Sequence, residues 1–537
     1  MPDGAWSLFF AYIYKLCLRR ILTMKIFTAQ QIRDADAYTI RHTPISSLAL
    51  MEKAAIACTA WICRHYNEDT PVYIFCGMGN NGGDGLAITR LLRNRGYNAV
   101  AYILHHSTKA SDDHTANRNA LQQQYHAAVN DIPDNGLLPQ LDRNALIVDA
   151  ILGTGLSRPV EGWIAGIIQQ LNDLKPQHEI VAIDMPSGLQ ADASSINNPV
   201  IKADQTLSFE FYKLAFLLPE NAAFVGEICI LSIDLSPDYI AQTPSRFNIT
   251  DAFQVRSIYR PRKPFSHKGT FGHALLIAGS EGKIGAAVLS AKACLRAGVG
   301  LLSCHIPRCG YQIMQISAPG AMCFIDEQQD HSSGFHNHVL TPEAAAKFKV
   351  IGIGPGLGTA AGTSWALEKL LDHYRQPMVI DADALNILAS SPALLKKVPA
   401  GSLLTPHPKE FERLFGKTAN DEERLKVLSQ HAVERQLNIL LKGRYTAMAF
   451  PDGSIWFNAT GNPGMATGGS GDVLTGILTS LMAQGYSSQE TMLLGVYLHG
   501  LAGDHAAAAL SQEAMIAEDI VEFLGKTFLE LHKLKPC

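Results

Sequence analysis

Short apolar segments alternate with helical patterns along most of this chain, and the alternation constrains the fold more than any other feature. In the first half, apolar segments at 72–77, 99–104, 145–152 and 180–185 are each followed by a stretch with a helical or polar loop pattern. Strands that alternate with helices predict a parallel sheet with helices on both faces. Ligands bind such sheets at the edge where the strands end.

A second series of the same kind begins at residue 273, with apolar segments at 301–306, 350–354, 378–381, 403–405 and 439–442. Between the two series, a polar stretch is punctuated by Pro237, Pro244, Pro261 and Pro264, which marks a boundary. The chain has 537 residues, enough for several domains of ~100–200 residues each. We therefore predict two doubly wound, three-layer α/β domains at 24–240 and 250–537.

The first 23 residues stand apart from this pattern. Their apolar run at 6–14 is shorter than the ~20 residues that span a bilayer, and positive charges follow it, whereas they precede the apolar core of a signal peptide. A capping-box pattern, which marks a helix start, first occurs at 28–31. We expect residues 1–23 to be an extension outside the fold and Met24 to be the natural start; a membrane-surface helix is the alternative.

Charge and cysteine usage limit the classes of partner. The formal net charge is −4 and the sequence pI is about 6.5, so the chain lacks the basic field of a nucleic-acid-binding protein. The ten cysteines include no C-x-x-C pair and lie within apolar runs, as reduced thiols do in the cytoplasm. We expect a cytoplasmic homo-oligomer that acts on small molecules and has no nucleic-acid or membrane partner.

The first glycine-rich segment, residues 76–85, follows the first apolar segment directly and reads Cys-Gly-Met-Gly-Asn-Asn-Gly-Gly-Asp-Gly. Its glycines satisfy G-x-G-x-x-G, but the next apolar segment runs into His105 and His106, where a dinucleotide-binding fold has an acid for the ribose. An ordinary hydride-transferring Rossmann domain is therefore disfavoured. The backbone N–H groups, two amides and one carboxylate of the segment still predict a ligand-binding loop.

Two further polar clusters follow apolar segments of the first half. Asp149 lies inside one apolar segment, and Asp184 ends the next, shortly before Ser187. A buried carboxylate must be paired or bound to a cation. Asn81, Asp149 and Ser187 would offer oxygen ligands, which suit an alkali or alkaline-earth ion better than zinc.

The motifs G-N-N-G-G-D-G, V-D-A-x-L-G-T-G and I-D-x-P-S-G, in this order and spacing, resemble the NAD(P)H-hydrate epimerase domain over residues 24–235. The resemblance implies a Rossmann-like fold and a potassium ion held by Asn81, Asp149 and Ser187. It also implies catalysis by Asp184 and by Lys213, which lies in the later segment Phe-Tyr-Lys-Leu. The residues implied to contact the hydrated dinucleotide are Asn80, Asn81, Gly82, Gly83, Asp84, Gly153, Thr154, Gly155, Leu156, Ser157, Arg158, Pro159 and Asp184.

In the second half, residues 464–476 place several glycines and Asp472 at a predicted helix start. Backbone donors and the helix dipole there suit a transferring phosphate, and an aspartate can accept the proton of an attacking hydroxyl. The segment 415–418 imitates the end of a Walker A loop, but Phe411 stands where that motif needs glycine. Asp381 and Asp383 either orient a magnesium ion or cap a strand end.

Together with Gly-Ile-Gly-Pro-Gly-Leu-Gly at 352–358 and Thr-Pro-His-Pro at 405–408, this segment resembles the ribokinase-like ADP-dependent NAD(P)H-hydrate dehydratase over residues 255–530. The resemblance implies that Asp472 contacts the reacting hydroxyl. The hydrated nucleotide would face Ala286, Gly356, Gly358 and His407. ADP would be held by Lys442, Gly443, Arg444, Tyr445, Thr446 and Gly471.

The two resemblances imply one bifunctional enzyme that repairs hydrated NADH and NADPH. Its first half would interconvert the R and S hydrates, and its second half would dehydrate the S hydrate with ADP as co-substrate, releasing AMP and phosphate. Potassium and magnesium are the implied ions. The alternatives are a small-molecule kinase, which would leave a stable phosphorylated product, and a first half that only senses a nucleotide or binds a protein, which needs none of these acids.

Overall fold

A computed structural model describes residues 25–132, 136–338 and 347–534 of the chain. The predicted extension at 1–23 therefore lies outside the described residues. The chain divides into two compact units: Met1–Ser245 with Asn420–Glu422, and Arg246–Ala419 with Glu423–Cys537. Each unit has its own sheet and its own apolar core.

The first unit opens with a short strand β1 (Lys25–Ile26) and two helices, α1 (Ala29–His42) and α2 (Ser47–His65). Strands and helices then alternate in the order β2 (Val72–Cys76), α3 (Asn80–Arg93), β3 (Ala99–Leu104), α4 (Asp112–Gln124), β4 (Val129–Ile132), β5 (Leu146–Ala150), α5 (Gly162–Leu174), β6 (Ile180–Ile183), β7 (Gln205–Phe209), α6 (Ala222–Val225), β8 (Glu227–Leu231) and α7 (Pro237–Gln242). The sheet order is β4-β3-β2-β5-β6-β7-β8, and every pairing is parallel. This is the predicted Rossmann-like order.

The helix starts of this unit follow from local side-chain chemistry. Thr28 and Gln31 form the capping box that the sequence predicts at 28–31, each side chain bonding the other's backbone N–H. Ser46 and Ser111 accept N–H groups of the first turns of α2 and α4 in the same way. Each cap satisfies one of the N–H groups that lack a partner within the helix.

The second unit contains β9 (Phe247–Thr250), α8 (Ala252–Ile258), β10 (His273–Ile277), α9 (Ile284–Arg296), β11 (Leu301–Ile306), α10 (Tyr311–Ser317), β12 (Met322–Ile325), β13 (Val350–Ile353), α11 (Ala361–His373), β14 (Val379–Ile380), α12 (Ala382–Ser390), α13 (Pro392–Leu395), β15 (Leu403–Leu404), α14 (Pro408–Phe415), most of α15 (Asp421–Arg435), β16 (Asn438–Leu441), β17 (Thr446–Ala449), β18 (Ile455–Asn458), α16 (Ser470–Ala483), α17 (Ser488–Leu510) and α18 (Ala517–Lys533). These strands lie in the order β9-β18-β17-β16-β15-β14-β13-β10-β11-β12. Pairing is parallel except at β16–β17 and β17–β18. The fold is the predicted ribokinase-like one.

Both faces of each sheet are covered by helices. In the first unit, Ile74 and Val148 pack on one face against α2 and α3, whereas Phe75 and Ile147 pack on the other face against α5. This alternation explains why the strands read as continuous apolar runs. In the second unit, Leu276 packs in one core with residues of α9 and α16. The predicted three-layer fold class is confirmed.

In each sheet, the strands that follow one particular strand in sequence lie on both sides of it. In the first unit β2 has β3 on one side and β5 on the other, and in the second unit β10 has β11 on one side and β13 on the other. A crevice forms beyond the carboxyl ends of such strands. The glycine-rich segments that follow β2, β5, β10 and β13 all start at this edge.

Within the described residues, no single helix has the length and apolar composition to cross a membrane. The pair α1 and α2 passes that test only when taken together, and the two helices are bent by 117° at the break between them.

The domain limits remain a prediction that a cut can test. Fragments 1–245 and 246–537 should each give α/β circular dichroism and a cooperative thermal transition, because the first keeps β2 to β8 and the second keeps β9 to β18, each with their helices. A matched cut after residue 178 separates β5 from its neighbour β6 and should abolish the cooperative transition of the first unit. Fragments that stay unfolded after the cut at 245 would contradict the predicted limits.

Candidate active sites

The segment after β2 becomes helical earlier than the sequence indicates. Helix α3 begins at Asn80, so the predicted loop at 77–85 is a short turn followed by a helix. A Cβ at Gly82 would overlap the carbonyl oxygen of Gly77, and a Cβ at Gly77 would overlap that of Ile151. Glycine is needed at Gly77 because the turns after β2 and β5 touch there, and at Gly82 because the start of α3 packs on the backbone of the turn after β2. The N-cap Gly79 provides no side-chain cap, which leaves the start of α3 open to a ligand.

A cavity of about 510 Å³ opens at the carboxyl edge of the first sheet. It is lined by Ile32, Arg33, Asp36, Gly79, Asn80, Asn81, Asp84, His106, Ile151, Leu152, Gly153, Thr154, Gly155, Leu156, Ser157, Arg158, Asp184, Phe209, Lys213, Ile233 and Leu235. Most of the residues predicted for the first half therefore share one cavity. The exceptions among the predicted dinucleotide contacts are Gly82, Gly83 and Pro159, which lie outside the lining.

Asp184 and Lys213 form a buried ion pair in this cavity. The Lys213 Nζ lies 2.9 Å from the Asp184 carboxylate, and the lysine side chain is only 1% exposed. The Thr154 N–H donates to the same carboxylate at 2.9 Å. Burial alone would raise the pKa of Asp184, but the charge of Lys213 and the hydrogen bonds from Lys213 and Thr154 hold that pKa below its ordinary value. Asp184 is therefore ionised at neutral pH.

The three predicted potassium ligands include one pair in direct contact. Asp149 is fully buried and accepts hydrogen bonds from the Ser187 N–H at 2.7 Å and the Ser187 hydroxyl at 2.6 Å. Within the described ranges, no lysine or arginine forms an ion pair with Asp149, and burial raises its pKa to about 6. Asn81 is buried too, and neither polar atom of its amide has a hydrogen-bond partner in the described part of the chain. A buried acid without a counter-charge and an unpaired amide oxygen fit a monovalent cation.

Two titratable residues outside the motifs also line the first cavity: Asp36 on helix α1 and His106 after β3. Asp36 lines the cavity, and burial together with the charge of Asp184 raises its pKa to about 7. His106 also lines it, and its Nε2 accepts the Met78 N–H at 3.1 Å. The spacing of Ile32 and Asp36, one helical turn apart, is the sequence signal that could have placed Asp36 on the buried side of α1.

In the second unit, Asp472 lies in the first turn of α16. The helix is preceded by Gly469, whose φ of 94° is in the left-handed region that favours glycine. Burial and the charge of Asp381 raise the pKa of Asp472 to about 6, although Lys442 opposes the shift. Asp472 is thus a carboxylate at a positive helix end whose pKa is close to neutral, as a general base requires.

A clamp centred on Asp381 holds Lys442 beside this helix. One Asp381 oxygen lies 2.6 Å from the Lys442 Nζ, and the other accepts the Thr475 hydroxyl at 2.6 Å. Asp383 accepts the Gly358 N–H at 2.9 Å and forms an ion pair with Lys283. Both aspartates thus bond to protein groups, which favours a role at the strand end over magnesium binding. The described residues include no group of three or more acidic, histidine or cysteine side chains that could hold a metal ion.

A second cavity, of about 620 Å³, adjoins the start of α16. Its lining includes all but one of the predicted ADP contacts, namely Lys442, Gly443, Arg444, Thr446 and Gly471. The exception is Tyr445, whose ring lies under the guanidinium of Arg444 with 5.0 Å from the ring centroid to Cζ. The cavity therefore gathers most of the residues implied to bind the nucleotide.

The residues predicted to face the hydrated nucleotide in this unit lie outside the lining of that cavity. Gly356 packs against Ala286, because a Cβ at Gly356 would come within 3.0 Å of the Ala286 Cβ. Gly358 bonds to Asp383, as described above. His407 caps α14, with its Nδ1 accepting the N–H groups of Lys409 and Glu410. Burial and the nearby charge of Lys442 lower the pKa of His407. Since Lys442 is bound to Asp381, His407 lies near the Asp381 clamp.

Several residues that line the second cavity carry no motif in the sequence. Asn458 ends β18, Thr460 follows it, and His499 lies within α17. Burial lowers the pKa of His499 to about 4, so its ring is neutral, and its Nε2 lies 3.0 Å from the Ser470 carbonyl oxygen. A histidine inside a long apolar helix carries no sequence signal that separates a cavity wall from an ordinary core position.

Two family models match the chain: one described as NAD(P)H-hydrate dehydratase over residues 274–526, and one described as YjeF-related protein N-terminus over residues 47–215. A bifunctional NAD(P)H-hydrate repair enzyme of Moorella thermoacetica is 36% identical over 511 residues, which cover 93% of this chain and 96% of that protein. The Escherichia coli protein of that description is 32% identical over 509 residues, with 93% of each chain covered.

Among solved structures, an ADP/ATP-dependent NAD(P)H-hydrate dehydratase of Bacillus subtilis, co-crystallised with ATP and Mg²⁺, is 30% identical. The match covers 52% of this chain and 97% of that one, with a TM-score of 0.47. The two curated relatives, by contrast, align along nearly the whole length of this chain. The chain belongs to the family of bifunctional NAD(P)H-hydrate repair enzymes.

Proposed function

We propose that this chain restores hydrated NADH and NADPH, with an epimerase in the first unit and an ADP-dependent dehydratase in the second. The observation that carries the proposal is that one chain of this family holds two strand-edge cavities with different acids. The first contains the ion pair of Asp184 and Lys213, and the second adjoins a helix start that bears Asp472. Each cavity suits one of the two reactions.

Dehydration requires a better leaving group than hydroxide. Asp472 accepts the proton of the ring hydroxyl at C6 as that oxygen attacks the terminal phosphorus of ADP, and AMP departs. The lone pair of the ring nitrogen then expels phosphate, which regenerates the reduced nicotinamide. Lys442, held by Asp381, and the N–H groups at the start of α16 stabilise the charge of the transferring phosphoryl group.

Magnesium would reach this site bound to the nucleotide. Magnesium is commonly held by one or two carboxylates together with substrate phosphates, and it neutralises charge that develops on those phosphates. Asp381 and Asp383 have protein partners, as described above. Phosphate oxygens therefore supply most of the ion's ligands in this proposal.

In the first unit, Asp184 moves protons at the C6 oxygen of the bound hydrate, and Lys213 keeps Asp184 ionised. The glycine-rich turns after β2 and β5 surround the dinucleotide. Asn81, Asp149 and Ser187 would hold the potassium ion, whose charge would offset that of the buried Asp149 carboxylate. The substrates are small molecules, and we propose a cytoplasmic homo-oligomer, in line with the unpaired described cysteines.

Asp472→Asn should reduce ADP-dependent dehydration of the S hydrate ~10²–10⁴-fold, because the variant keeps the shape of the side chain but removes the base. Recovery of the reduced-nicotinamide absorbance measures the rate. ADP should still raise the melting temperature. The wild-type rate should fall below pH 6, since the pKa of Asp472 is raised to about 6 and the base must be ionised.

Asp519→Asn is the matched control, since Asp519 is also a first-turn acid but caps α18 through the Ile516 N–H. It should dehydrate the S hydrate at the wild-type rate. Near-normal turnover by Asp472→Asn, or a stable phosphorylated product from the wild type, would refute the dehydratase mechanism.

Asp149→Ala should remove the effect of potassium on stability. A ligand at a hundredfold excess over its Kd stabilises by ~2.7 kcal/mol, so wild-type melting curves in potassium and in tetramethylammonium should differ. The curves of the variant should coincide. Because the pKa of Asp149 is raised to about 6, protons compete with the ion, and the wild-type difference should shrink as the pH falls from 8 to 5.

The control for this test is Asp173→Ala, which removes an exposed acid of α5 and should keep the full potassium effect. Equal wild-type curves in the two cations would remove potassium from the proposal.

Asp184→Ala should leave the R hydrate stranded. With a mixture of both hydrates and ADP, the wild type should recover all of the reduced nicotinamide in one fast phase. The variant should give a fast partial phase followed by a slow phase set by spontaneous epimerisation. Its rate on pure S hydrate should be unchanged, which is the internal control; rapid full recovery by the variant would contradict the role of Asp184.

A further inference from the structure

The cavity at the carboxyl edge of the first sheet, where we place the epimerase, contains a carboxyl group that none of the recognised motifs includes. Asp36 lies on α1, one turn after Ile32, and both side chains line the cavity with Asp184 and Lys213. Ile233 and Leu235, which follow β8, line the same cavity and pack in one apolar cluster with Ile32. Asp36 is therefore a cavity-lining carboxyl one helical turn from this apolar cluster.

Asp36 has no protein partner to explain its position. Among the described residues, none donates a hydrogen bond to its carboxyl or forms an ion pair with it. By contrast, the neighbouring Asp34 on the same helix is exposed and accepts the side-chain amide of Gln30 at 2.9 Å. A half-buried carboxyl that lines a cavity and bonds to no described residue is available to a ligand.

The charged groups of the cavity favour different protonation states for its three carboxyl groups, Asp36, Asp84 and Asp184. The titratable groups that share the cavity with Asp36 are Arg33, Asp84, His106, Arg158, Asp184 and Lys213. Lys213 is the buried lysine among them, and it is paired with Asp184. Since like charges in a confined site cannot all ionise, the carboxyl group that has the lysine takes the charge and the other two favour their protonated form.

The other two carboxyl groups, Asp36 and Asp84, differ in solvent exposure. Asp84 is 8% exposed on α3, whereas Asp36 is half-buried. Burial and the charges of Asp184 and Asp36 raise the pKa of Asp84 well above its ordinary value, which favours its protonated form. The pKa of Asp36 is raised to about 7, which lets it exchange a proton with solvent near neutral pH.

We propose that Asp36 is the general acid of the epimerase, which donates its proton to the departing C6 hydroxyl while the ionised Asp184 accepts the proton of the returning water. The inference rests on the proposed function and deepens it. The ring nitrogen's lone pair forms the N1=C6 double bond as the C6–O bond breaks, and the hydroxyl leaves as water. Water then adds to C6 from the other face and gives a proton to Asp184. Solvent restores Asp36 and Asp184 to their starting states, so the cycle consumes no other reactant.

The test measures conversion of pure R hydrate to S hydrate without ADP, with the two hydrates separated chromatographically. Asp36→Asn should lower kcat ~10²–10⁴-fold and leave KM within about threefold, because the amide keeps the shape of the carboxyl but donates no acidic proton. The wild-type rate should fall as the pH rises above 7, where Asp36 loses its proton. Asp36→Glu should restore part of the rate together with that pH limb.

Asp34→Asn is the matched control on the same helix and should behave as the wild type. Melting temperature and ADP-dependent turnover of S hydrate, measured on each variant, should stay unchanged, which separates loss of the acid from loss of folding. A rate of Asp36→Asn within threefold of the wild type, a retained pH limb, or a loss confined to KM would overturn the proposal. If the wild type itself converts no R hydrate, the proposed epimerase function fails, and this inference fails with it for a distinguishable reason.

Discussion

Parallel pairing of neighbouring strands is the constraint on which both sites depend. A parallel strand cannot be joined to its neighbour by a tight turn, so the chain must cross over a face of the sheet between them. Every such strand therefore ends at the same edge, and whatever follows it meets the turns that follow its neighbours. In the first unit this brings Lys213, after β7, to Asp184, after β6, and it brings Ser187, after β6, to Asp149 in β5. In the second unit it brings Asp381 to Lys442.

At the carboxyl edge of each sheet, burial opposes the ionisation of the acidic side chains that lie there. Removal from water disfavours an ionised carboxylate, and each acid described above resolves the conflict differently. Asp184 is paired with a buried lysine and keeps its charge, whereas Asp149 relies on hydrogen bonds from Ser187 and pairs with no lysine or arginine of the described segments. Asp472 is placed at a positive helix end but close to Asp381. The surroundings, and not the residue type, thus assign each carboxyl its protonation state.

Features that depend on neighbouring residues in the sequence could be predicted, whereas features that depend on tertiary packing could not. The fold class follows from apolar periodicity, which is local, and the strand-end motifs follow from residues adjacent to those strands. The hairpin of β17 and β18 was missed because its strands are short, although the turn residues Pro451, Asp452 and Gly453 between them are a signal for it. The spacing of Asp36 from Ile32 indicates the buried side of α1 but not that this side lines a cavity, and His499 lies in an apolar helix with no signal for a cavity. The roles of the predicted site residues remain proposals.

The Asp381 clamp has a consequence for how this site tolerates change. One carboxylate joins β14, the turn after β16 and helix α16, segments that come from three distant parts of the sequence. Substitutions at Lys442 and Thr475 both remove a bond to the same group, so their free-energy effects are expected to be non-additive in a double-mutant cycle. A change at Asp381 releases both anchors at once. Variation at the three positions is therefore coupled through one carboxylate.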